Sequence, residues 1–181
     1  GTDARANSQN GLALGTKAQA DGQQSTAIGQ FSVARASNSL AVGDLAYVTE
    51  DATNGTAVGQ LALAAGLNST ALGQNAQATA ANTTALGQSS QASFSGASAI
   101  GYQSNASGFH ATALGYNSLA SGSFSITIGD SEATEAFTIA IGDEAEASGD
   151  SSIAMGVETL ADGASSVAIG GESEASEQGS T

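Results

Sequence analysis

The chain has 181 residues and a formal net charge of −14, from 17 acidic residues against three basic ones (Arg5, Lys17, Arg35), with no Cys, Pro or Trp. Ala alone supplies 38 residues, while Leu, Ile, Val and Phe together make up about 17% of the chain, a composition that by itself marks a chain unable to bury a core. Such acidity excludes nucleic acid and anionic membrane surfaces as partners, no apolar run approaches the roughly 18 residues of a spanning helix, and one His without Cys excludes thiolate chemistry and a zinc site.

Taken from the N-terminus, the chain starts at Gly1 without a basic-then-apolar stretch, which reads as a segment of a longer mature protein. A repeat begins at residue 11 and runs to about 176. Its unit is a Thr or apolar residue, then Ala, a large aliphatic and Gly: Leu12-Ala13-Leu14-Gly15, Thr26-Ala27-Ile28-Gly29, Leu40-Ala41-Val42-Gly43, Thr56-Ala57-Val58-Gly59. Twelve copies follow one another, with turn glycines Gly15, Gly29, Gly43, Gly59, Gly73, Gly87, Gly101, Gly115, Gly129, Gly142, Gly156 and Gly170. The spacing is 14 residues except for one step of 16 and one of 13. A half-unit lies inside each period, with Ala usually five after the Gly and often another Gly at seven.

Each unit predicts two short strands and two turns, because strand side chains alternate with period two and Ser, Asn and Gly suit the connections. Fourteen residues are too few for a strand–helix unit, so the whole chain, 1–181, reads as one all-β domain: a parallel β-solenoid of about twelve coils. The residue before each Gly is always large and apolar: Leu14, Ile28, Val42, Val58, Leu72, Leu86, Ile100, Leu114, Ile128, Ile141, Met155 and Ile169. These twelve are the predicted repeat core. One or two large apolar residues per coil cannot offset chain entropy near 1–2 kcal/mol per residue, so the sequence predicts self-association.

Three further features follow in chain order. The two-residue insertion at 44–55 carries Tyr47, Glu50 and Asp51; solenoid insertions become loops on one face, so it is either a recognition feature or a tolerated bulge. Phe94, Phe109, Phe124 and Phe137 fall seven to nine residues after successive repeat glycines, with Tyr102, His110 and Tyr116 nearby. These rings form either a stacked aromatic corner between coils or an exposed patch for ligand contact, which makes Phe109, His110 and Phe124, with Tyr47 of the insertion, ligand-binding candidates. Residues 52–129 carry no charge, whereas twelve acids and no base follow from Asp130. Glu144, Glu158 and Glu172 each lie two after their Gly, and stacked carboxylates about 4.8 Å apart repel by roughly 0.9 kcal/mol per pair even in water. They form a solvated face or weak Ca²⁺ ligands.

The segment Ser166-Val167-Ala168-Ile169-Gly170-Gly171-Glu172-Ser173-Glu174-Ala175 resembles the repeat of YadA-like heads of trimeric autotransporter adhesins, and Ser25-Thr26-Ala27-Ile28-Gly29 and Ser69-Thr70-Ala71-Leu72-Gly73 are similar variants. The resemblance implies a left-handed parallel β-roll, a homotrimer and display on a Gram-negative surface. It also implies outer-membrane anchoring through a C-terminal region outside this segment, and a host matrix protein such as collagen as partner, with Val167 and Ile169 in the implicated motif. No enzyme, cofactor or direct membrane contact is expected. His110 has no acid or nucleophile motif beside it, and a hexapeptide acyltransferase would repeat every six residues. The alternatives are a structural spacer within a surface fibre and, from Thr26, Thr56, Thr70, Thr84 and Thr112, an ice-binding surface.

Overall fold

A computed structural model describes every residue, Gly1–Thr181. The chain forms two compact units, 1–95 and 96–181, and the same coil builds both. A three-residue strand such as Thr26–Ile28 runs into the turn at Gly29, and a shorter strand, Val33–Ala34, follows. A second turn then leads to the next coil at Leu40–Val42. Strands that precede the repeat glycines make a first sheet; those that follow make a second.

Pairing is parallel throughout, each strand with its equivalent one repeat on. In the first unit Leu14 aligns with Ile28, Ile28 with Val42, and so on to Leu86. In the second unit Ile100 aligns with Leu114, and the column continues to Ile169. The architecture is thus an all-β parallel solenoid with six first-sheet strands in each unit.

The long and short repeats leave this register intact. Val42 still pairs with Val58 and Ile128 with Ile141, so both irregularities are absorbed in turns. The insertion enters the turn after Tyr47–Val48, where Ala52 is buried and Val48 takes an inward position held by Ala in its neighbours. Gly55 makes the room: a Cβ there would lie 2.9 Å from Val48 Cγ1. The deletion removes a residue from the turn after Gly129, and the strand Ser131–Ala133 begins directly after Asp130.

The interior differs from the predicted core. Ala27, Ala41, Ala57, Ala71, Ala85, Ala99 and Ala113 are fully buried, as are Ala20, Ala34, Ala64, Ala78, Ala92 and Ala106 on the facing sheet. The large aliphatics point the other way: Leu14 is 57% exposed and Ile169 67%, and Leu72, Leu86, Leu114, Ile128 and Met155 are also exposed. Ile28, Val42, Val58, Ile100 and Ile141 are half-buried. A coil built from strands of two or three residues is thin, and apart from Val48 its interior side chains are Ala, Ser and Thr. In a single chain the aliphatic column is therefore an outer surface.

Buried hydroxyls line the remaining interior positions. Ser32, Ser90, Ser104 and Ser118 each donate to the carbonyl of the repeat glycine three residues back, at 2.9–3.4 Å. At the other turn Ser39, Thr83 and Thr138 donate to Ala36, Ala80 and Glu135 at 2.6–2.7 Å.

Candidate functional site

Because strands alternate, the first sheet presents two outward columns. One is the aliphatic series just described. The other holds Leu12, Thr26, Leu40, Thr56, Thr70 and Thr84 in the first unit, and Ser98, Thr112, Ile126, Ile139, Ile153 and Val167 in the second. Neither column contains a charged residue. Val167 and Ile169 belong to this face rather than to a separate site. Thr56, Thr70 and Thr84 do align, but beside an aliphatic column, not another Thr column.

The turns carry the rest. Besides the repeat glycine, two residues adopt left-handed backbone in every coil except the short one after Gly129, and most are not glycine: Lys17, Phe31, Leu45 and Leu61 at the first turn, Gln24, Asn38, Asn54, Asn68 and Asn82 at the second, with φ between 55° and 61° except Phe31 at 54°. Asn tolerates this region by bonding its own surroundings. Here it bonds its neighbours: the Nδ2 of Asn38, Asn54 and Asn68 donates to the Oδ1 of the next Asn at 3.3, 2.9 and 3.0 Å.

In the second unit the same turn positions hold His110, Phe124 and Phe137, with φ of 54°, 59° and 59°. Their rings stack: His110 on Phe124 with centroids 5.5 Å apart and planes at 10°, Phe124 on Phe137 at 5.2 Å and 3°. Phe109 packs edge-on against His110 and Phe124. Tyr102 and Tyr116 are not part of this group; they stack on each other at 5.5 Å at the opposite turn. The structure thus joins the candidates Phe109, His110 and Phe124 and adds Phe137.

Tyr47 stands apart from that cluster and from the inserted loop. It lies on the strand Tyr47–Val48, with the Arg35 guanidinium 5.3 Å from its ring centre and Arg35 Nη1 donating to its hydroxyl at 2.5 Å. Glu50 and Asp51 are exposed on the loop itself.

The acids are displayed on the second sheet and the turns. Glu132 and Glu146 oppose each other in register, while Glu144, Glu158 and Glu172 occupy successive first turns. No three carboxylates gather around one point as a metal cage would require. A shallow cleft of about 520 Å³ opens where the short coil lacks its turn residue, lined by Gln103, Asn117, Asp130, Glu132, Glu144 and Glu146 among others. Asn117 Nδ2 donates to Asp130 Oδ1 across it at 3.2 Å.

The chain is thus a thin Ala-filled solenoid with an uncharged aliphatic face on its first sheet and ladders of like residues along its turns. The chain belongs to the YadA head family: the YadA head domain repeat (2 copies) matches residues 6–32, 20–46, 51–76, 77–104, 106–131, 133–159 and 161–181. The family comes from surface-displayed autotransporter adhesins and is structural and adhesive, not typically enzymatic. Comparison with curated proteins gave no match.

Proposed function

We propose that this chain is the head segment of a homotrimeric bacterial adhesin, with left-handed coils, anchored in the outer membrane through a region C-terminal to it, and that it attaches the cell to extracellular matrix proteins such as collagen. The observation that carries the reading is the uncharged outer face of the first sheet. Exposed Leu, Ile or Met stands on it in seven of the twelve coils and half-buried Ile or Val in the other five, and a face of this size without charge is the mark of an association surface. Three chains that turn these faces to a common axis bury the aliphatic ladder and leave the second sheets, with Glu132, Glu146 and Glu174, outside. Display in three copies then converts weak single contacts into avidity.

Native mass measurement with light scattering tests assembly, and binding to immobilised matrix proteins tests adhesion. Three chains per particle and saturable binding are expected. A well-folded monomer overturns the trimer, and an intact trimer that binds no matrix protein assigns the segment to a spacer role.

A further inference from the structure

We infer that the aromatic stack of the second unit ends in a binding ledge for a guanidinium or ammonium group, formed by Phe137 with Asp150 and supplied by a basic polypeptide partner. The inference rests on this unit alone and requires that the ledge stay open when copies assemble.

The stack has two different ends. At one, His110 lies over Gly96, so closely that a Cβ on that glycine would meet its ring at 2.4 Å. At the other, Phe137 stacks on Phe124 with one face only. The equivalent turn position of the next coil is Ser151, with the same left-handed backbone, and its N–H donates to Ala136 O at 2.9 Å. A Ser cannot cover a phenyl ring, and Phe137 remains 60% exposed.

Carboxylates flank that step in the chain: Asp150 immediately precedes Ser151, whose Oγ donates to its Oδ2 at 3.3 Å, and Glu135 lies two residues before Phe137. An aromatic face beside a carboxylate attracts a cation twice, through the ring quadrupole and through charge.

The first unit shows the same chemistry satisfied internally. Lys17 lies 5.3 Å from the ring centre of Phe31, and Arg35 the same distance from that of Tyr47. The second unit has no Lys or Arg at all and twelve acids, so a cation for Phe137 has to come from outside. Charge complementarity therefore selects a basic polypeptide as the occupant.

The test uses the intact protein and synthetic peptides of alternating Arg–Gly or Lys–Gly sequence at roughly 0.15 M salt, where long-range attraction is screened. Binding is expected to be stronger for the Arg peptide, since the guanidinium stacks on rings. Phe137→Leu, which keeps the apolar bulk and removes the ring, is expected to weaken binding about fivefold. Asp150→Asn is expected to weaken it by a similar factor, whereas Glu158→Gln, at the other turn, changes it by less than about twofold. If all acid substitutions act alike and Phe137→Leu has no effect, the attraction is general to the acidic surface and the ledge is overturned. The chain lacks cysteine, so Phe137→Cys provides a unique label. Rapid maleimide reaction in the assembled protein supports an open ledge, and protection there overturns it in favour of a contact between copies.

Discussion

At the residue scale, the second turn takes one of two forms in eight of the coils, and the two differ at one position. Where that position is Gly22, Gly66, Gly122, Gly149 or Gly163, the backbone N–H of the Ser three residues on donates to its carbonyl at 3.0–3.2 Å. The hydroxyls of those same residues, Ser25, Ser69, Ser125, Ser152 and Ser166, are buried without a hydrogen-bond partner. Where it is Ala36, Ala80 or Glu135, the hydroxyl makes that bond instead. Glycine is needed for the first form because the next coil passes so close: a Cβ on Gly66 would lie 2.0 Å from Ala80 O. Gly66→Ala is therefore expected to switch its turn to the second form, pairing the Ser69 hydroxyl and costing only about 1–2 kcal/mol. Gly29 has no such alternative, with φ at +130° and a Cβ 2.3 Å from Gly43 O, so Gly29→Ala is expected to cost more than about 3 kcal/mol. Denaturant unfolding of the two variants checks this; equal losses would refute the turn switch.

At the scale of the element, stability comes from repetition of one contact along the axis. Asn68 both donates and accepts in its ladder, and it holds left-handed backbone. Asn68→Ala is expected to lose about 1 kcal/mol, and Asn68→Gly less, because glycine relieves the backbone while the ladder stays broken. The carboxylate ladder works in the opposite sense. Glu132 and Glu146 face each other across parallel strands in a unit without a base. Glu146→Gln is expected to raise the melting temperature by about 1–2 °C at low salt, and the gain should vanish near 1 M salt, where repulsion is screened. A gain that persists at high salt would rule out repulsion as its source.

At the scale of the whole molecule, interior and outer face carry opposite chemistry. An Ala-filled interior buries little apolar area per residue, while the largest apolar side chains are outside. Placing charge on the outer face, as in Leu72→Asp with Leu86→Asp, leaves the buried Ala and the strand pairing untouched. Light scattering is expected to show dissociation, as roughly 1.5–3 kcal/mol of burial is lost at each Leu, with β-sheet circular dichroism lost on further dilution. A double variant that remains assembled would remove the first sheet from the self-interface.

The repeat was legible to a fine grain because its information is periodic. Strand positions, turn glycines and the places of the insertion and deletion all follow from spacing, and parallel pairing confirms them. The candidate sites were less legible. Phe109, His110 and Phe124 do come together, yet Tyr102 and Tyr116 stack on the other turn, since residues one and eight or nine after a glycine lie at opposite ends of a coil. Tyr47 lies four after its glycine, in register with Val33 and Leu63, so its strand follows from spacing; its contact with Arg35 does not, because a side chain reaching diagonally between coils leaves no periodic trace.

What the sequence determined by itself was the period, and with it the alternation of one large and one small face along every strand. Which face would be inside was decided by the tertiary structure. Two sheets of two- and three-residue strands close around a space that admits Ala, Ser and Thr, with Val48 its largest occupant; the Leu, Ile and Met side chains are turned outward because no volume exists for them within.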